Sequence, residues 1–91
     1  MNADTFHKTV TAEGFSEPVL IEREADGFMD VHTHPFEAKA LIVQGQIEIG
    51  LDDQSQTYRA GDVFHLTALQ PHWERYGEQG VVYLSARRQD D

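Results

Sequence analysis

The chain has 91 residues, and its 16 acidic and 7 basic side chains give a net charge of −9. A chain of this length forms one domain, and so negative a surface repels phosphate backbones and anionic membranes, so we expect no nucleic-acid or membrane partner. The absence of cysteine excludes disulfides and thiolate zinc sites and fits a reducing compartment. No signal-peptide pattern and no run approaching 18 apolar residues is present, so we predict a cytoplasmic protein.

Residues 1–17 mix charged residues, threonine and single apolar residues without sustained helical or strand periodicity. We interpret them as an N-terminal extension in which residues 9–11 have the character of an edge strand. The predicted domain then covers residues 18–88. At the other end, residues 87–91 are polar, and we expect a frayed tail whose two arginines are solvated.

Short apolar and β-branched runs fill the predicted domain, and no helical pattern of useful length is present. Gly45 is predicted to make a tight turn, and residues 77–80 a hairpin turn. Many short strands, with turns about every 6 to 10 residues, are typical of an all-β barrel or sandwich. The strands are predicted at residues 19–23, 28–34, 38–44, 46–51, 56–59, 63–66, 72–76 and 81–86.

The run Leu41-Ile42-Val43 is apolar on both faces of its predicted strand. A strand that is buried on both faces needs a second layer over its outer side. In a domain this small a second subunit would supply that layer, so we predict a homodimer.

His32 and His34 are separated by one residue within a predicted strand. Side chains alternate faces along a strand, so both imidazoles point the same way, with Cα atoms roughly 6.6 Å apart. Imidazole is a common metal ligand, and two rings at this spacing need only a third group to hold a divalent ion. His72 is the candidate for that third group. An ordinary solvated strand face is the alternative interpretation of the pair.

The spacing of these residues resembles the two motifs of the cupin family. The first motif, His-x-His followed by Glu and then Gly, is matched from His32 to Gly45. The second, which runs from Gly to His, is matched from Gly61 to His72, with Tyr76 at its last position. The resemblance implies an all-β fold, a double-stranded β-helix or jelly-roll cupin barrel, with a metal site and a small-molecule ligand inside it.

Several positions depart from the family's motifs. Ala38 stands where the family usually carries a glutamate ligand. Glu37, one residue earlier, would face away from the histidines unless a bulge after Pro35 turned it inward. Thr67 and Leu69 occupy the usual Pro and Gly positions of the second motif, which alters the loop but leaves the last histidine in register.

The metal site that the resemblance implies consists of His32, His34 and His72, without the family's carboxylate. Three neutral imidazoles leave coordination positions open and favour Zn²⁺, Ni²⁺, Fe²⁺ or Cu²⁺ over the harder Mn²⁺ and Mg²⁺. Asp30 shares the face of the first histidine and is interpreted as a solvated acid at the start of the strand, with a role as acceptor for the histidine ring as the alternative. His65 is interpreted as a hydrogen-bonded or outward-facing residue, with an acid or base role as the alternative.

Two classes of function fit these observations. One is a metalloenzyme that acts on a small organic molecule with oxygenase-type or carbonyl-polarising chemistry. The other is a non-catalytic sensor or accessory module that binds a metal or a small molecule, which the missing glutamate and the lack of a convincing acid or base residue favour. A metal-free binder would require the three histidines to be incidental. The fold by itself does not decide among them.

Overall fold

A computed structural model of the chain describes residues 1–89. These residues form one helix and six strands, and every strand pairing is antiparallel. The predicted all-β jelly-roll fold is confirmed. The elements are α1 (Ala3–Ala12), β1 (Val19–Arg23), β2 (Phe28–His32), β3 (Glu37–Leu51), β4 (Gln54–Arg59), β5 (Val63–Leu66) and β6 (His72–Arg88).

The two longest strands, β3 and β6, pair with each other along most of their length and carry the other strands at their edges. The first half of β3 pairs with β5, and its second half pairs with β4. The first half of β6 pairs with β2, and its second half pairs with β1. Because both long strands bend in the middle, they build two four-stranded faces, β1-β6-β3-β5 and β2-β6-β3-β4. These faces fold over each other as a jelly roll.

The bend of the two long strands depends on a pair of glycines. The register between β3 and β6 shifts on both sides of Gly45. Gly45 has a φ of 78° and Gly80 a φ of 72°, and a Cβ on Gly45 would lie 2.1 Å from the carbonyl oxygen of Gly80. The tight turn predicted at Gly45 and the hairpin turn predicted at residues 77–80 are therefore wrong. Each is a bend within one continuous strand, which glycine permits because it lacks a side chain.

The two faces enclose one apolar core. Inward positions alternate along the start of β6, so His72, Glu74 and Tyr76 are all buried on the same side of the strand. The strand thereby carries two polar side chains into the interior beside that core. The members of the apolar core are Ala40, Ile42, Ile47, Ile49, Phe64, Leu66, Tyr76, Val81 and Tyr83.

The N-terminal segment is a helix, so the edge strand predicted at residues 9–11 is wrong. The side chain of Asn2 caps α1 by accepting a hydrogen bond from the backbone N–H of Thr5 at 2.8 Å. Phe6 and Val10, four residues apart on one face of α1, are fully buried. With only two large apolar residues on that face, the helical period was too short to recognise in the sequence.

Helix α1 covers the outer side of β3. Leu41 packs there with Phe6, Val10 and Phe15 in a second buried cluster, whereas Ile42 points into the inner core. The chain itself therefore supplies the layer that we assigned to a second subunit. Val43 remains 47% exposed. The homodimer stays a prediction, and of the three apolar residues on which it was based only Val43 is still uncovered.

The C-terminal arginines are not part of a frayed tail, because β6 continues to Arg88. Residues 90 and 91, the rest of the predicted tail, lie outside the described residues. Within residues 1–89, no helix combines the length and the apolar character needed to cross a membrane.

The glycine pair at the bend gives a direct test of the fold. We expect Gly45→Ala to destabilise the protein more than Gly61→Ala, although both glycines have positive φ values, 78° and 93°. A Cβ on Gly61 finds no atom closer than 3.9 Å, so that change costs only the backbone strain, about 1 kcal/mol. The overlap at Gly45 adds about 1–3 kcal/mol. Urea unfolding of the two variants measures the difference, and equal losses would contradict this account of the bend.

Candidate metal centre

The structure brings together the three histidines that the sequence singled out. His32 and His72 are direct cross-strand partners of β2 and β6, and their ring centroids are 4.2 Å apart. The ring of His34, two residues beyond the end of β2, lies 5.1 Å from His32 and 4.9 Å from His72. The backbone carbonyl of His34 accepts a 2.7 Å hydrogen bond from the N–H of Leu69, which ties the two loops at the site together.

A fourth side chain, Glu74, completes the cluster. Its Oε2 atom lies 3.3 Å from the Nε2 atoms of both His32 and His72. One potential ligand atom from each of the four residues can be chosen so that all lie within 4.8 Å of one another. Glu74 was not among the residues predicted from the sequence, although the alternation that pairs His32 with His34 also puts Glu74 on the face of His72.

Backbone carbonyls fix the orientation of two of the rings. The Nδ1 atom of His32 lies 2.8 Å from the carbonyl oxygen of Asp30, and that of His72 lies 3.0 Å from the carbonyl oxygen of Gln70. We assign the Nδ1–H tautomer to both rings, because only an N–H can donate to a carbonyl. The acceptor for His32 is thus the backbone of Asp30 and not its carboxylate, which accepts from the N–H of Val31 at 2.7 Å instead.

The charges at the cluster keep Glu74 ionised. Burial alone would raise the pKa of Glu74, but His72 and the Tyr76 hydroxyl outweigh it and lower that pKa. Burial and the neighbouring His72 and His32 lower the pKa of His34, which favours its neutral form. Burial lowers the pKa of His72, but the approach of Glu74 and the Gln70 carbonyl raise it overall. The ionised carboxylate of Glu74 and the neutral imidazole of His34 are the forms in which these two groups bind a metal.

The arrangement of atoms fits a bound cation. The Nε2 atoms of His32 and His72 are buried, and neither makes a hydrogen bond of acceptable geometry with any residue from 1 to 89. With Nδ1 protonated, each Nε2 presents a lone pair to the same carboxylate oxygen of Glu74. Three acceptors that converge without a shared donor repel one another, and a divalent ion among them removes that repulsion.

A cavity of about 80 Å³ adjoins the cluster. It is lined by His34 and Glu74, by apolar side chains from both faces of the jelly roll, and by Arg23 and Arg87. A second cavity of about 90 Å³ lies between β3, β4 and β5 and contains none of the four clustered residues. The cavity beside the histidines is therefore the one that could hold a ligand in contact with a metal.

Glu37 does not replace the glutamate missing at Ala38, so the inward turn considered for it is wrong. Its Oε1 atom accepts hydrogen bonds from Arg88 at 3.0 and 2.7 Å, and its Oε2 atom pairs with the ring of His65. His65 is thus hydrogen-bonded, as expected. Arg88 also donates to the backbone carbonyl of Glu13 at 2.6 Å. These contacts join β3, β5 and β6 to the end of α1, and they include none of His32, His34 and His72.

The altered loop of the second motif keeps the conformation that glycine usually provides. Leu69 occupies the motif's Gly position, and its φ of 63° lies in the left-handed region. Gln70 Oε1 closes this loop by accepting hydrogen bonds from the backbone N–H and the hydroxyl of Thr67, both at 3.1 Å. The loop therefore delivers His72 to the cluster without the usual Pro and Gly.

Solved structures with the same architecture define the class of protein. The cupin domain of Schizosaccharomyces pombe Cnp3 is 17% identical with a TM-score of 0.72, and the match covers 81% of this chain and 52% of that one. The DMSP lyase DddQ from Ruegeria pomeroyi DSS-3 is 21% identical with a TM-score of 0.72, over 81% of this chain and 38% of that one. A structure that describes the Mn(II) centres of Bacillus subtilis oxalate decarboxylase is 18% identical with a TM-score of 0.70, over 79% and 20%. At these identities the likeness shows the fold, that of a cupin.

The family is shown by the sequence match. The family described as the cupin domain matches residues 20–85, a segment that includes all four clustered residues, and this chain belongs to that family. No curated protein matches the chain in sequence. The chain spans about half of the Cnp3 chain and smaller shares of the two enzyme chains.

The contacts of Glu37 predict a pH-dependent contribution to stability. The hydrogen bonds from His65 and Arg88 lower the pKa of Glu37 below its usual value of 4.5. A carboxyl whose pKa is lower in the folded state stabilises the fold above its unfolded pKa, and this contribution is lost as the pH falls through the folded pKa. We therefore expect Glu37→Gln to lower the Tm at pH 7 and to approach the parent protein well below pH 4.5.

The control for this prediction is Glu22→Gln. Glu22 is exposed on β1 and makes no ion pair with the described residues, yet its substitution removes the same charge. Thermal unfolding from pH 3 to pH 8 compares the two variants with the parent. A Glu37→Gln deficit that did not shrink toward acid pH would show that the lost contacts are not those of the ionised carboxylate.

Proposed function

We propose that this protein binds one divalent transition-metal ion through His32, His34, His72 and Glu74 and holds a small organic molecule against it in the adjoining cavity. The observation that carries the proposal is the convergence of two buried, unpartnered Nε2 atoms on one oxygen of Glu74. The cavity of about 80 Å³ on the open side of the cluster supports the second part.

Glu74 changes the metal preference that we expected from the sequence. Mn²⁺ was disfavoured because the first motif lacks its carboxylate, and Glu74 supplies a carboxylate oxygen from a different strand. A set of three imidazole nitrogens and one oxygen accepts Mn²⁺ as well as Zn²⁺, Ni²⁺, Fe²⁺ and Cu²⁺. We therefore propose a divalent metal from this wider group.

Each residue around the site has a separate task in this proposal. The carbonyls of Asp30 and Gln70 hold the rings of His32 and His72 with Nε2 facing inward. The hydroxyl of Tyr76 donates to Oε1 of Glu74 at 3.1 Å, which leaves the other oxygen free for the ion. When bound, the ion would supply Lewis-acid chemistry and polarise a carbonyl or carboxylate oxygen of the ligand.

A non-catalytic role in ligand binding is the second candidate. Burial and the charge of Glu74 raise the pKa values of Tyr76 and Tyr83 above the usual phenol value of 10.0, so neither phenol is a ready base. Among the described residues that line the cavity, Glu74 is the single carboxylate, and the metal would occupy it. The site therefore supports binding and polarisation of a ligand more directly than proton transfer.

Metal content tests the proposal. Untagged protein that has been reconstituted with each metal and desalted should retain about one equivalent, measured by mass spectrometry. We expect His72→Ala and Glu74→Gln each to weaken binding at least about tenfold, because each removes a direct ligand. The metal should also raise the Tm of the parent protein and leave that of the two variants almost unchanged.

His7→Ala is the matched control for the metal experiment. His7 is exposed on α1 and lies outside the cluster, so its loss should change neither the metal content nor the metal-dependent rise in Tm. If the parent protein retained little of any metal after reconstitution, or if His7→Ala lost as much as His72→Ala, the proposed metal centre would be abandoned.

A further inference from the structure

Arg87 lines the cavity and lies on β6, the strand that also carries His72 and Glu74. Ser85 and Arg87 occupy alternating positions near the end of β6, and both line the cavity that also contains His34 and Glu74. The guanidinium carbon of Arg87 lies 4.3 Å from the ring centroid of Phe36. The Phe36 ring is stacked on His34, with centroids 4.9 Å apart and planes 4° apart. The Phe36 ring is therefore in contact with both the guanidinium of Arg87 and the ring of His34.

The guanidinium of Arg87 has no acidic partner among residues 1–89. Its neighbour Arg88 is held by the carboxylate of Glu37 and the carbonyl of Glu13. The chain has 16 acidic residues and only 7 lysines and arginines, so acidic partners are plentiful in the composition. The Arg87 side chain is exposed and lines the cavity, so a ligand in the cavity can reach its guanidinium.

The cavity wall has a charge balance opposite to that of the whole protein. Arg23 and Arg87 line it together with one acid, Glu74, within the described residues, whereas the net charge of the chain is −9. Glu74 is already engaged by the histidines and by the hydroxyl of Tyr76. The remaining charge on the wall is positive, and a ligand that complements it is an anion.

We infer that the cavity binds a small organic anion whose carboxylate is held by Arg87. The inference rests on the proposed function, because the ligand would occupy the cavity that adjoins the metal cluster. The planar guanidinium offers paired N–H donors that match the two oxygens of a carboxylate. A volume of about 80 Å³ has room for about five to eight water-sized groups. A compact dicarboxylate fits that space, and a polymer or a nucleotide does not.

Titration calorimetry with malonate tests this inference on untagged, zinc-loaded protein. Malonamide, the neutral analogue, and inorganic phosphate are the comparison probes. We expect Arg87→Met to weaken malonate binding at least tenfold, because the substitution keeps an apolar chain over Phe36 but removes the N–H donors. Malonamide should show no measurable binding to the parent protein, and phosphate should bind more weakly than malonate.

Arg75→Met is the control that removes the same charge outside the cavity. Arg75 is exposed on β6, and its guanidinium lies 5.5 Å from the ring of Trp73 and does not line this cavity. Unchanged malonate affinity in Arg75→Met, with the loss in Arg87→Met, would support the inference. Equal affinity in both variants, or no malonate binding to the parent, would overturn it. Phosphate binding that depends on Arg87, without malonate binding, would overturn the assignment of a carboxylate.

Metal content measured on the same samples separates this inference from the proposed function. If the parent protein retains metal but malonate binding does not depend on Arg87, the anion site fails and the metal centre stands. If the protein retains no metal but malonate binding still falls at least tenfold in Arg87→Met, the metal centre fails and the anion site stands.

Discussion

One carboxylate oxygen, Oε2 of Glu74, lies 3.3 Å from two imidazole nitrogens that have no other partner among the described residues. The rest of the site depends on this contact. Both rings are held by backbone carbonyls at Nδ1, so they cannot turn away from the carboxylate without losing a hydrogen bond. The interior therefore holds three electron-rich atoms whose mutual repulsion a cation relieves. A buried arrangement of this kind destabilises a small domain unless a cation is bound there.

The bent strand β6 connects the two ends of the site. Its first half supplies His72 and Glu74, and its second half supplies Ser85 and Arg87. The bend, which depends on the close approach of Gly45 and Gly80, folds these halves onto the two faces of the jelly roll. Groups that are more than ten residues apart on one strand therefore line one cavity. A straight strand could not do this, because its ends would lie far apart.

The outer side of the domain shows how a chain of 91 residues supports such an interior. Helix α1 buries Phe6 and Val10 against Leu41 and closes a second apolar cluster. The ion-pair cluster of Glu37 and Arg88 then joins the end of the helix to the strands. Stability thus comes from two cores on opposite sides of one sheet, and the polar cluster inside the jelly roll need not contribute to it.

Local periodicity let the sequence by itself determine the all-β class, the position of most strands and the three histidines. Alternation along a strand and motif spacing are properties of neighbouring residues, so they can be read before the chain folds. Alternation along β6 puts Glu74 on the face of His72. Only the tertiary structure brings that face against His32 and directs Glu37 to His65 and Arg88 instead. The tertiary structure also decided the role of Gly45. The sequence pattern predicts a turn there, whereas in the fold Gly45 lies at a bend within β3. Long-range register, which no short stretch of sequence contains, sets both.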